Sequence, residues 1–196
     1  MINIGIGWLV LSLILSTSIT EKLDDYIYQI VEENNGELKV LPREYDSIKK
    51  VDGHKYIRWT IHKGKKIRRE QFDDNNNLFD HLYSPAIVEF NYNGSKYVSK
   101  VVVKNADGEK TKFDFGNYCI IKFKYNKKGE IIEEKYLDEE GNLVQYIQGI
   151  DSVPTNIEYR YKGDQISSVI YNTEMEKVEG PKPASKPCVP FLTCQN

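Results

Sequence analysis

The chain has 196 residues, 40% hydrophobic and 29% charged, with 27 Lys and Arg set against 29 Asp and Glu. That is enough apolar material for one ordinary folded domain plus ends, and it excludes a disordered or collagen-like chain. A formal net charge of −2 gives the molecule as a whole no electrostatic reason to seek nucleic acid or an anionic membrane.

Residues 1–20, MINIGIGWLVLSLILSTSIT, carry no charged side chain, and an apolar run from Ile4 to Leu15 gives way to small hydroxyl residues. This is the pattern of a secretory signal peptide, with Ser16 and Ser18, or Ser18 and Thr20, as the small residues before the cut. The alternative is an uncleaved anchor, and only in that case is a membrane expected as a partner. Both readings place the rest of the chain across a membrane or beyond it, as a secreted or cell-surface protein.

Residues 21–50 are read as a helix and a lead-in strand. Leu23, Tyr26, Ile27, Ile30 and Val31 fall at the spacing of one helix face. Ser18 and Glu21 resemble a capping box, and Asn34-Asn35-Gly36 offers a left-handed exit. The spacing predicts a short helix over 20–33, with a strand through YIYQIV as the alternative.

Residues 51–179 repeat. IRWTIHKG, VEFNYNG, IKFKYNKKG and IEYRYKG begin at residues 57, 88, 121 and 157, and each alternates apolar with polar residues up to a Gly. Three residues past that Gly stands Ile67, Tyr97, Ile132 or Ile166, and a second polar break then begins at Asp73, Asn105, Asp138 or Asn172. Period-2 alternation predicts strands with one apolar and one wet face, and the Gly and Asn/Asp breaks predict hairpin turns. Each unit therefore reads as strand, turn, strand, turn and shorter strand. The expected fold is all-β: an antiparallel meander of about four three-stranded repeats, curled into a barrel-like or two-layer sheet.

The beat in FKYNKKGEIIEEKYLDEEGNLVQYI, residues 123–147, resembles the YD-type repeats of RHS proteins and the tyrosine-rich hairpin units of MORN-2-type repeat proteins. The resemblance extends over about 57–178, with a longer period here than in those families. GSKYVSKVVVKNADGEKTKF, residues 94–113, is more faintly similar to the β-rich repeats of secreted piroplasm parasite proteins. None of these resemblances implies a catalytic residue.

Candidate chemistry is sparse. Asp73, Asn75 and Asn77 alternate as in the first half of an EF-hand loop, but Leu78 and Ser84 occupy the positions that need Gly and Glu, so a plain turn is expected. His54, His62 and His81 show no metal-ligand spacing and have no Cys near them in sequence. Glu133 and Glu134 are adjacent on a strand, so they face opposite ways and form no acid/base pair together. No catalytic residue, cofactor or metal is expected.

Nine Lys and Arg against one Asp lie between Lys49 and Arg69, while residues 70–90 hold five acids and no Lys or Arg. Arg58, Lys63, Lys65, Lys66, Arg68 and Arg69 form a candidate basic patch, the alternative being opposite charges paired across neighbouring strands. Asn93-Gly94-Ser95 is a candidate glycosylation site on a predicted turn. Cys119 lies in an apolar strand and reads as a buried thiol. The tail, residues 180–196, has four prolines and contains Cys188 and Cys194, a candidate disulfide around VPFLT with an intermolecular bridge as its rival. That loop is either a presented handle or a frayed end.

The sequence leads to a secreted or surface-exposed binding or scaffold module without enzymatic activity. Its ligand is a protein or glycan at the exposed sheet, and no nucleic acid is expected. A secreted effector acting on a host target is the second reading, and a carbohydrate-active enzyme the third.

Overall fold

The computed structural model describes residues 24–81, 84–94, 96–112, 118–144, 146–148, 151–153 and 156–192. The expected signal segment, residues 1–20, lies outside the described residues. Among those described, no helix is long and apolar enough to cross a membrane.

The chain runs through β1 (Asp25–Asn34), β2 (Glu37–Tyr45), one 3-10 turn (Ile48–Lys50), β3 (Tyr56–His62), β4 (Lys65–Phe72), β5 (Ile87–Asn93), β6 (Tyr97–Lys104), β7 (Ile120–Tyr125) and β8 (Ile131–Leu137). A small hairpin, β9 (Tyr146–Gln148) with β10 (Asp151–Val153), interrupts it before β11 (Asn156–Lys162), β12 (Gln165–Tyr171) and β13 (Lys177–Pro183). Eleven strands form one antiparallel sheet in the order β13-β12-β11-β8-β7-β6-β5-β4-β3-β1-β2, and β9 pairs with β10 apart from it.

The meander is as expected, but the sheet is open, not barrel-like. Its two edge strands, β2 and β13, do not pair with one another. Pro42 in β2 and Pro181 and Pro183 in β13 have no N–H to give to a ladder, which makes both edges poorer templates for a further strand.

The helix expected over 20–33 is corrected as well, because its described part is strand β1. Asn35 and Gly36 have φ of 52° and 80°, the positive pair that a two-residue hairpin turn requires, and Asn34 pairs with Glu37 across it. An Asn-Gly step ends a helix or reverses a strand equally well. What decides here is β3, against which β1 aligns from Asp25↔Ile61 to Ile30↔Tyr56. Tyr and β-branched side chains suit that pleated surface.

The four alternating segments of the sequence become the first strands of hairpins β3–β4, β5–β6, β7–β8 and β11–β12. Within a hairpin the ladder runs nearly to the turn. Between successive hairpins it is short: Arg68–Glu70 face Glu89–Ile87, Lys100–Val102 face Lys122–Ile120, and Glu133–Lys135 face Glu158–Asn156. The hairpin tips therefore splay.

The second break of each unit is a five-residue loop closed by its first side chain. Asp73 Oδ1 accepts from the Asn77 amide, Asn105 Oδ1 from Glu109, Asp138 Oδ1 from Asn142 and Asn172 Oδ1 from Glu176. The fourth residue of each loop has positive φ: Asn76, Gly108, Gly141 and Met175. DDNNN is thus a turn built like its counterparts. The short third strand expected after it is a single bridge in three units: Phe72↔Leu78, Lys104↔Lys110 and Leu137↔Leu143.

The core follows the alternation. Ile57, Val88, Val101 and Ile121 are wholly buried on one face, joined by Trp59, Phe90 and Phe123. Val189, Phe191 and Leu192 of the tail pack against the same cluster.

Candidate functional site

The fifth position of the alternating beat is Ile61, Tyr92, Tyr125 or Tyr161 in successive hairpins. Each tyrosine hydroxyl reaches back to the preceding hairpin and donates to a backbone carbonyl: Tyr92 to Lys66 at 2.8 Å, Tyr125 to Val98 at 2.7 Å and Tyr161 to Ile131 at 2.7 Å. The accepting residues share a position, since Lys66, Val98 and Ile131 are the cross-strand partners of Ile61, Tyr92 and Tyr125. The inter-hairpin ladder has already ended at that level, so each hydroxyl bridges the splayed gap.

This ladder fixes the rings, each of them half-buried. Tyr92, Tyr97, Tyr125 and Tyr161 line a groove of about 750 Å³, floored by Val98 and Ile131 and flanked by Pro187, Val189 and Leu192 of the tail. Tyr97 stacks on Tyr125 with ring centroids 4.9 Å apart and lies across Gly129, where any Cβ would collide with its ring. The rim is mainly basic, with Lys96, Lys128 and Lys186 beside Glu130. Lys96 Nζ sits 5.1 Å from the Tyr97 ring centre, and Lys65 Nζ 4.9 Å from that of Tyr92. Burial pushes the Tyr125 hydroxyl up to about 12, so it remains a donor at any physiological pH.

The six basic candidates are distributed over both faces of the first hairpin. Arg58 pairs with Glu70 at 2.8 Å, Arg68 with Glu70 and Glu89 at 3.1 Å each, and Lys104 completes the row on Glu89 at 2.8 Å. Lys66 pairs with Glu44 at 3.0 Å and lies over Trp59. Lys63 is exposed at the hairpin tip, and Arg69 is buried in the apolar face.

Asn93 is exposed at the end of β5, whereas Ser95 lies outside the described residues. Cys188 borders the groove. Cys194 lies outside the described residues, so the candidate bridge does too. Cys119 is buried and free.

A cluster that sequence reasoning missed lies under the third and fourth hairpins. Glu134 is 5% exposed, and the Tyr136 hydroxyl donates to it at 2.9 Å, with Tyr159 as a second donor. Desolvation raises the Glu134 carboxyl and both phenols above their ordinary values. Glu133 faces the other way and pairs with Lys135 at 2.9 Å.

Among the described residues, His62 Nδ1 lies 2.8 Å from Asp24, and no three His, Cys, Asp or Glu side chains gather where they could hold a metal ion. No protein-family model matches the chain, and neither a curated protein nor a solved structure does.

Proposed function

We propose that this chain is a secreted or surface-exposed, non-catalytic binding module whose ligand, a protein or a glycan, lies along the tyrosine groove. The observation that carries this reading is the row of Tyr92, Tyr125 and Tyr161. Their hydroxyls are committed to backbone carbonyls, so what they offer a ligand is rigid aromatic surface. Such surface gives contact area at little cost in side-chain entropy, and a basic rim adds orientation. The N-terminal signal segment and a Cys188–Cys194 bridge in the tail belong to the same reading, since both suit an oxidising exterior.

The test is a glycan and peptide array probed with the full chain beside Tyr97→Ser and Lys128→Glu variants, at a temperature where all three are fully folded. A ligand that both variants lose by about tenfold, or ~1.4 kcal/mol, supports the groove. Ligands held equally by all three proteins place binding elsewhere, and an array without saturable ligands removes the module reading.

A further inference from the structure

Arg69, on β4, points into the apolar face opposite Trp59 and is only 5% exposed. Its Nη1 donates to the Pro85 carbonyl at 3.3 Å, and its Nη2 to Gln71 Oε1 at 3.2 Å and Ser84 Oγ at 2.9 Å. All three acceptors are neutral, and two of the bonds are long. Among the described residues no carboxylate pairs with this guanidinium; burial alone lowers its titration, to about 10, so it remains charged at neutral pH. Arg58 and Arg68, on the other face of the same hairpin, both have carboxylate partners. A buried cation without a counter-charge is destabilising, a cost that apolar packing at the same place would avoid.

What covers Arg69 is the tail. The Phe191 ring centre lies 6.0 Å from its Cζ. Phe191 has φ of 64°, a left-handed conformation that is strained for a non-glycine residue. Residues 184–189 leading to it have no regular secondary structure. Val189, Phe191 and Leu192 hold this segment on the core cluster.

We propose that Arg69 is the buried anchor of a carboxylate-binding site, filled by an acidic side chain of a peptide that takes the path now followed by residues 189–192. The planar fork of a guanidinium accepts a carboxylate through two parallel hydrogen bonds, which Phe191 cannot supply. The apolar residues flanking the acid would occupy the places of Val189 and Leu192. This inference stands on Arg69 and the tail, and because Val189 and Leu192 also flank the tyrosine groove, a peptide on their path would replace part of that groove's wall.

The experiment uses the full chain and two labelled synthetic peptides, residues 186–196 as they stand and the same peptide with Phe191→Asp. The acidic peptide is expected to bind about tenfold more tightly than the parent peptide, and an Arg69→Met chain is expected to lose that preference. In cis, Phe191→Asp is expected to raise the unfolding midpoint of the Arg69 protein and to lower that of Arg69→Met. Where Arg69→Met yields too little folded protein, Arg69→Lys, which keeps the charge without the fork, is expected to weaken the acidic peptide similarly. Equal binding of the two peptides, or an equal loss of stability from Phe191→Asp in both backgrounds, overturns the proposal and leaves Arg69 a structural residue.

Discussion

The Tyr125 hydroxyl and the Val98 carbonyl, 2.7 Å apart, join β7 to β6 beyond the point where their backbone ladder stops. Val98 pairs within its own hairpin with Tyr92, whose hydroxyl in turn reaches Lys66. Each tyrosine thus ties its hairpin to the one before it, and the hairpin before the first tyrosine has Ile61 in the equivalent place.

Tyr125→Phe keeps the ring, its stacking on Tyr97 and its burial, but leaves the Val98 carbonyl without that donor. A loss of about 1 kcal/mol is expected, read as a lower denaturation midpoint at unchanged slope. Tyr161→Phe should behave alike. If both variants are as stable as the parent, the ladder contributes no stability.

Gly129 and Gly141 have φ of 83° and 92°, but only at Gly129 would a Cβ run into the Tyr97 ring. Gly141→Ala should therefore cost about 1 kcal/mol of backbone strain, and Gly129→Ala roughly 2 kcal/mol or more because Tyr97 must also leave its stack. Thermal melts of the two variants side by side separate the contributions, and equal losses would mean that Tyr97 moves without cost.

The Glu134 carboxyl is raised above its ordinary 4.5 by burial. In the folded chain it holds its proton more tightly than in the unfolded chain, so its contribution to stability is fully present below pH 4.5 and is lost as pH rises through the folded value. Glu134→Gln removes this dependence. Urea unfolding should show the variant gaining on the parent from below pH 4.5 to neutrality, and a constant difference over that range would rule the linkage out.

Glu70 is 7% exposed at its side chain and serves two guanidinium groups. Glu70→Gln leaves Arg58 without its carboxylate and Arg68 with Glu89 alone, an expected loss of about 1–3 kcal/mol. Added salt should narrow the gap between variant and parent only in part, because the Glu70 carboxylate is shielded from solvent while its two partners are about a third exposed. A gap that closes fully in salt would show a surface pair instead.

Cys119 is buried, and burial raises its thiol above the ordinary range. Native protein should therefore resist alkylation at Cys119, and denatured protein should take up one label there. Intact mass with and without reduction reads the same sample for the Cys188–Cys194 bridge.

Alternation by itself was enough to locate four hairpins, because period 2 and a Gly or Asn/Asp break leave the chain few other ways to bury Ile57, Val88 and Ile121 together. Asp73, Asn105, Asp138 and Asn172 were legible as turns for a similarly local reason: each closes a loop with its own side chain. Local signals were ambiguous at β1, where Leu23 to Val31 fits a helix face as well as a strand and Asn35-Gly36 ends either. Pairing with β3 settled that segment. Prolines in β2 and β13 were visible in the sequence, but their effect depended on those strands being the edges.

The sequence by itself determined the all-β class, the hairpin positions and the turn chemistry, which depend on contacts within a few residues of each other. Only the tertiary structure decided which tyrosines line one groove, that Arg69 is buried while its neighbour Arg68 faces the opposite side, and that Phe191 covers it. Those outcomes follow from strand register and from where a distant tail comes to rest. A one-residue step in register exchanges the faces of a strand, and no local pattern records what lies across from it.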